Sequence, residues 1–329
     1  MIWKDRSVLV TGAGGFIGSH LVEALARQGA KVRAFVRYNS RGDIGLLRFL
    51  NSDYSNKVEI IMGDLRDTSA VLAAMSNCEI VFHLGALIAI PYSYVHPREV
   101  IETNVMGTLN VLEAAKIAKP SRIIHTSTSE VYGTAKAIPI NEEHPLQGQS
   151  PYSASKIGAD KIVESYYRSY ELPVVTIRPF NTYGPRQSTR AVIPTIITQA
   201  LTKDAIKLGE LSSTRDFTFV EDTVRGFLCA AEATAIEGRE INLGSNQEIS
   251  VGDLAQAIIR MVGREVKITC ENDRLRPTKS EVFRLYADNS LAHQLMGWQP
   301  LTSLDEGLAK TISWIKEHLE LYRVGMYQI

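Results

Sequence analysis

The segment from Ser7 to Val36 constrains the fold more than any other. Ser7-Val8-Leu9-Val10 is an apolar run of buried-strand character, and it enters Thr11-Gly12-Ala13-Gly14-Gly15-Phe16-Ile17-Gly18 directly. Ile17, Leu21, Val22 and Leu25 then follow helical spacing, Gly29 ends the helix, and Lys31–Val36 reads as a second strand. Glycine at 12, 15 and 18 permits a tight turn and close backbone approach to a pyrophosphate. The helix start behind it supplies N–H groups and a positive dipole end. A glycine triplet alone is a weak signal; flanked by strand, helix and strand it is much stronger.

The same rhythm continues. Val58–Met62, Ile80–Leu84, Arg122–His125 and Pro173–Arg178 read as strands, and about 97–116 and 152–170 as helices. This alternation predicts an α/β fold with a doubly wound parallel sheet. After Arg178 the pattern loosens. Helices are expected at Ile193–Leu201, about 222–233, Val251–Val262, Ser290–Met296 and Ser303–His318, with extended pieces at 215–220, 241–244 and 266–269. The expected organisation is a first domain of residues 1–180 plus about 215–243. A smaller mixed α/β unit, about 181–214 and 244–329, closes over the carboxyl edge of the sheet.

Lys+Arg and Asp+Glu both total 36 in the 329 residues, so the formal charge is zero. Neither nucleic acid nor an anionic membrane is expected as a bulk partner. Cys78, Cys229 and Cys270 are far apart and read as reduced, buried thiols of a cytosolic protein. The 7 histidines form no metal-binding pattern, so no metal is expected. No leader is expected before the first strand. Ile80 to Val95, interrupted by His83 and Pro91, reads as a buried strand and an active-site loop rather than a membrane span.

The chemistry concentrates between Thr126 and Lys156. Thr126-Ser127-Thr128-Ser129-Glu130-Val131-Tyr132-Gly133 places hydroxyls and a carboxylate at a strand's carboxyl end, where open α/β sheets bind ligands. Pro151 opens a helix, and a spacing of four puts Tyr152 and Lys156 on one face. A free tyrosine ionises near pH ~10. An adjacent ammonium favours the phenolate, and lowering that pKa by ~3 units takes about 4 kcal/mol. The pair suits general acid–base work, although a Tyr-x-x-x-Lys on its own also fits a plain surface helix.

Together these motifs resemble the extended branch of the short-chain dehydrogenase/reductase superfamily, the nucleotide-sugar epimerases, dehydratases and decarboxylases. The glycine loop, Asp64, His83-Leu84-Gly85-Ala86, Asn104 with Gly107-Thr108, the Thr128-Ser129-Glu130 run and Tyr152/Lys156 stand in family order. So do Arg178-Pro179-Phe180-Asn181, Arg215-Asp216-Phe217, Arg276-Pro277 and Gly297-Trp298-Gln299-Pro300. Gly85 departs from the family's usual alanine, with little consequence expected. The resemblance implies a Rossmann first domain and a nucleotide-sugar-binding second one. Gly12, Gly14, Gly15, Phe16, Ile17, Gly18, Asp64, Leu65, Leu84, Gly85, Ala86, Asn104, Thr126 and Pro179 would then hold a dinucleotide with Tyr152 and Lys156. Pro91, Thr128, Asn181, Arg190, Val192, Leu208, Arg215 and Arg276 would hold the sugar nucleotide.

Thr128-Ser129-Glu130 resembles GDP-mannose 4,6-dehydratases, UDP-glucuronate decarboxylases and one group of N-acetylglucosamine-nucleotide 4,6-dehydratases of the legionaminic-acid type. The loops 86–94 and 185–194 are most similar to that last group. The resemblance implies Thr128, Ser129, Glu130, Tyr152 and Lys156 as catalytic residues of a 4,6-dehydratase acting on UDP- or GDP-linked N-acetylglucosamine. A UDP-glucuronate decarboxylase, needing a cation such as Arg186, Arg190 or Arg215 near the C6 carboxylate, is an alternative. So are a UDP-hexose 4-epimerase and a non-catalytic dinucleotide sensor. Arg37, followed by Asn39 and Ser40 where NAD-binding relatives carry an acid, favours NADP, with NAD as the alternative. Helices 97–116 and 152–170 resemble those of the family's homodimer.

Overall fold

The computed structural model describes residues 2–271, 274 and 277–324. Six strands, β1 (Ser7–Thr11), β2 (Lys31–Arg37), β3 (Val58–Gly63), β4 (Ile80–His83), β5 (Arg122–Thr126) and β6 (Val174–Pro179), join Glu240–Leu243 in one sheet. Its spatial order is Glu240–Leu243, β6, β5, β4, β1, β2, β3, and every pairing is parallel. The order reverses between β1 and β4, which opens a crevice beyond their carboxyl ends. This is the expected doubly wound Rossmann sheet.

The strands are apolar on both faces because helices cover both. Val8, Val10, Ile80, Phe82, Ile124, Val175 and Ile241 face the helices Phe16–Arg27 and Val220–Glu232. Leu9, Phe35, Val81, Ile123 and Val174 face the helices Thr68–Met75, Gly107–Ala118 and Pro151–Tyr170. The last helix is well started. Pro151 occupies its first turn, and Ser150 and Ser153 form a reciprocal capping box.

The remaining residues build short pairs: Ala205–Leu208 with Lys267–Cys270, Thr214–Arg215 with Ile249–Ser250, and Asn181–Tyr183 with Phe217–Phe219. Buried Asp216, between Thr214–Arg215 and Phe217–Phe219, accepts from Ser245 N (2.6 Å), Asn246 N (3.0 Å) and Ala287 N (3.2 Å). A third apolar cluster, including Val131, Tyr132, Phe180, Val282 and Leu285, ties the turn after β5 to residues 282–287.

Several expectations need correcting. The long helix from Pro97 is interrupted by a wide π turn at Glu102–Met106, which carries Asn104. Residues Ile90–Val95, read as loop, form a short helix, and Ala205–Leu208 was not foreseen as a strand. Of the three cysteines expected to be buried, Cys78 is buried, Cys229 half-buried and Cys270 exposed. A β-carbon on Gly85 would lie 2.6 Å from Leu65 Cδ1, the movable end of a flexible side chain. No described helix is long and apolar enough to cross a membrane, and no described group of His, Cys, Asp or Glu could hold a metal ion.

Candidate active site

The carboxyl ends of the parallel strands bring the two halves of the Thr126–Lys156 stretch together. Thr128, in extended backbone, caps a single helical turn, Ser129–Tyr132, and its hydroxyl accepts from Glu130 N at 3.2 Å. Ser129 is buried and Glu130 half-buried. The Glu130 carboxylate makes no side-chain hydrogen bond or ion pair with any described residue, though its charge is felt at Tyr152. Tyr152 lies on the facing helix, 7% exposed, with its phenol near the Thr128 side chain. Burial pushes the Tyr152 phenol well above its ordinary value; the neighbouring Thr128 opposes this, and the charges of Glu130 and Asp160 add to it.

Lys156, one turn along the helix, is 3% exposed and donates from Nζ to Thr126 O at 2.8 Å. Burial lowers it to about 8, with Asp160 opposing. The expected lysine–tyrosine relation therefore differs in detail: in the protein alone Lys156 is anchored to the strand, and burial favours neutral forms of both residues. Around Lys156 lies a buried polar group that the motif reading passed over. Asp160 Oδ2 accepts from Ser127 Oγ (2.7 Å) and from Arg178 Nε (3.3 Å) and Nη2 (3.1 Å), while Oδ1 lies 3.2 Å from His125 Nε2. Arg178, fully buried, also pairs with Glu240 at 2.9 Å and donates to Tyr132 Oη at 3.0 Å. The clue available in sequence was Asp160 itself, four residues beyond Lys156 on the same helical face.

The glycine loop fits a dinucleotide pyrophosphate. Gly12 has φ +68°, and a β-carbon on Gly18 would sit 2.2 Å from Gly12 O. Gly15 caps the helix that begins at Phe16 with no side-chain cap, leaving its first N–H groups for an anion. Gly14 lies close to Ile44 O, Ile17 packs on the core, and the Phe16 ring meets His20 edge-on. Thr126 Oγ1 is buried with no partner among the described residues, the kind of orphan a ligand satisfies. Leu84 N bonds Thr11 O, Gly85 N bonds Thr11 Oγ1, Ala86 is half-buried beyond them, and Pro179 closes the end of β6.

Other expected cofactor residues are engaged within the protein. The Asn104 amide bonds Leu87 N (2.7 Å), Leu87 O (2.9 Å) and Ser155 Oγ (2.9 Å), bracing the loop after β4 against the helix Pro151–Tyr170. Asp64 binds Arg66 through both oxygens, and that bond holds its carboxyl below the usual range. Leu65 is buried, with its carbonyl bonded to Asn110. Asn39 closes a turn onto Asp43, and Ser40 is exposed. Arg37 projects from the end of β2 with its side chain 63% exposed. The local sequence offers no acid there, but the fold brings Glu99 to 3.4 Å.

Among the expected sugar-nucleotide residues, Asn181 carries a buried Nδ2 with no partner among the described residues. Arg215 is almost buried and pairs with Glu281 at 3.3 Å. Val192 opens the helix Val192–Thr202, Leu208 is buried, Pro91 begins the helix Ile90–Val95, and Arg190 is exposed beside Ser188. Arg276 lies outside the described residues. Arg186 pairs with Glu23 at 2.6 Å, against the helix behind the glycine loop.

The GDP-mannose 4,6 dehydratase family model matches residues 9–311. A UDP-glucose 4-epimerase of Mycolicibacterium smegmatis is 35% identical over 314 residues, covering 94% of this chain and 98% of that protein. A dTDP-D-glucose 4,6-dehydratase of Homo sapiens is 32% identical over 330 residues, covering 97% and 92%. The structure of DesIV, a dTDP-glucose 4,6-dehydratase of Streptomyces venezuelae with NAD and TYD bound, superposes with a TM-score of 0.88 at 28% identity, covering 97% and 99%. With this match along most of its length, the chain belongs to the GDP-mannose 4,6-dehydratase family, among the nucleotide-sugar dehydratases and epimerases of the short-chain dehydrogenase/reductase superfamily.

Proposed function

We propose that the protein is a nucleotide-sugar 4,6-dehydratase acting on UDP- or GDP-linked N-acetylglucosamine. The observation that carries this reading is Glu130, a carboxylate without a partner among the described residues, on the turn that also presents Thr128 to Tyr152. An epimerase needs no base there. When bound, a nicotinamide dinucleotide supplies a hydride acceptor at C4 and returns the hydride to C6. The protein does the proton work. Tyr152 takes the 4-hydroxyl proton, Thr128 holds the 4-oxygen, and Lys156 supports the phenolate. Once C4 is a ketone the C5 proton is acidic, and Glu130 removes it. Water then leaves C6 with a proton from Ser129 or Glu130.

Residues 1–180 with 215–243 would hold the dinucleotide, and 181–214 with 244–329 the sugar nucleotide. The half-empty hydrogen-bonding capacity of Thr126 and Asn181 supports that division. Arg37, exposed and only loosely paired, supports NADP. Val95, Ile101, Met106, Tyr167 and Tyr170 leave apolar surface on and beside the helices Pro97–Ile101 and Pro151–Tyr170, which supports a homodimer across them. The decarboxylase reading loses two of its three candidate cations, because Arg186 is tied to Glu23 and Arg215 to Glu281, and keeps Arg190. The epimerase reading keeps some from the epimerases among the relatives.

Mass spectrometry over a panel of nucleotide sugars discriminates these readings. A product lighter by one water is expected; loss of carbon dioxide or an unchanged mass refutes the dehydratase. Glu130→Gln keeps the shape but removes the base, so elimination should slow by ~10²–10⁴-fold while C4 oxidation persists and reduced nicotinamide accumulates. Tyr152→Phe should form no reduced nicotinamide at all. Normal turnover by Glu130→Gln, or conversion with no solvent hydrogen entering at C5, excludes this mechanism.

A further inference from the structure

We propose that Asp160 is a positioning residue that keeps Lys156 charged and aimed beneath the reacting centre, with Arg178 and Glu240 setting how strongly it does so. The inference rests on the reading of Tyr152 and Lys156 as the catalytic pair. Asp160 itself touches neither substrate nor dinucleotide in that reading; it acts through Lys156.

The geometry has two parts. First, Asp160 lies one turn beyond Lys156 on the helix Pro151–Tyr170, and both are almost fully buried, at 1% and 3% exposure. A buried ammonium needs a neighbouring anion to survive, and Asp160 is the anion whose charge favours the protonated form of Lys156. Second, Asp160 fixes the partner that Lys156 uses. Its carboxylate binds the side chains of His125 and Ser127, which flank Thr126, and the Thr126 carbonyl holds Lys156 Nζ. One carboxylate thus sets both the field at Lys156 and the position of its acceptor.

The surrounding groups define how that field is tuned. Arg178 on β6 draws on the same Asp160 oxygen, and Glu240 on the neighbouring strand draws Arg178 the other way. His125 on β5 and His83 on β4 are buried, which keeps both imidazoles below their ordinary value, and the Lys156 charge pushes them further down. Tyr132 contributes its hydroxyl and its ring to Arg178, and Glu130 acts on Tyr152 from the facing turn. A carboxylate placed only to neutralise Arg178 would have no reason to bracket Thr126. That arrangement separates a positioning role from plain core pairing.

The test follows Lys156 directly by NMR in the intact protein, with lysine Cε labelled with carbon-13 and the signal assigned by its loss in Lys156→Met. The titration is run without and with added NAD or NADP. Asp160→Asn preserves an acceptor for Ser127 and Arg178, and its amide can donate to His125, whose Nδ1 has no described partner and can take the ring proton. The Lys156 midpoint should fall by roughly one pH unit or more. Reduction of bound dinucleotide by a turned-over sugar nucleotide should then drop about fivefold at pH ~8 and stay near the parent rate at pH ~6. An unmoved midpoint with a uniform loss of rate at every pH overturns the inference. Should Asp160→Asn fail to fold, Glu240→Gln carries the test from the partly exposed end of the network. It leaves the Arg178 charge to Asp160 alone, so the Lys156 midpoint falls by a smaller amount, and no movement there is equally decisive against. A lowered midpoint in a protein that oxidises no nucleotide sugar would uphold the electrostatic role of Asp160 and refute the functional reading beneath it.

Discussion

Lys156→Met should make the protein more stable and inactive at once. Lys156 is held at about 8, where an exposed lysine titrates near 10.5. At neutral pH that burial costs the fold about 3 kcal/mol. Methionine fills a similar volume without a charge, so the variant escapes the cost. It loses one charged hydrogen bond, from Nζ to Thr126 O, and leaves that carbonyl short of a donor, which takes back about 1–2 kcal/mol. A net gain of about 1–2 kcal/mol remains, worth roughly 1.5–3 °C in Tm for a chain of this size. The pH dependence gives the sign. A lysine depressed in the fold binds fewer protons folded than unfolded between about 8 and 10.5, so the parent gains stability as pH rises through that range. The advantage of the variant is therefore full below about 8 and fades above it. Thermal unfolding of both proteins across pH measures the difference directly. A variant less stable than the parent at neutral pH, or a difference that does not shrink on going alkaline, would show that Lys156 is not held against its charge.

Two further outcomes follow from the dinucleotide end. Arg37→Asp should shift preference from NADP toward NAD by at least tenfold in the ratio of the two affinities, about 1.4 kcal/mol, and extraction of NAD alone from the parent would count against the NADP assignment. Gly18→Ala puts a methyl 2.2 Å from Gly12 O, so the glycine turn must open; dinucleotide affinity measured by fluorescence should fall at least tenfold, and parent-like binding would mean that the turn is not the pyrophosphate cradle.

What could be read in the sequence was whatever depends on near neighbours. β4, β5 and β6 are apolar runs because helices bury both their faces, and period alone marks them. The Ser150–Pro151 start of the helix that carries Tyr152 and Lys156 is a local capping signal. Tyr152 and Lys156 face together because of helix geometry. The missing parts are contacts between distant segments. Glu99 reaches Arg37 across 62 residues, and Glu281 reaches Arg215 across 66. Ala205–Leu208 has a charged residue in a four-residue run and becomes a strand only because Lys267–Cys270 pairs with it. Asn104 sits in a π turn because its amide holds Leu87 and Ser155, and nothing in helical periodicity announces an extra residue in a turn.

The polarity beneath the site follows from where the strands end. Register aligns Thr11 with His83, His83 with His125, His125 with Thr176, and Thr176 with Glu240, so these five form one row across the sheet. The row lies on the face of Leu9, Val81, Ile123 and Val174, two residues further along each strand, and so it is the final row of an apolar surface. Thr11 bonds His83, and His83 bonds Thr108 on the helix above, so the row is satisfied internally on one side. On the other side His125 meets Asp160, and through it Ser127 and Arg178. A slip of one residue in β5 would replace His125 by Ile124 and leave Asp160 facing an alkyl chain, with Arg178 its main remaining partner. Strand register in the core and the charge on Lys156 are therefore linked through the same carboxylate. Substitutions that disturb packing deep under β5 should reach catalysis through Lys156 before they unfold the protein.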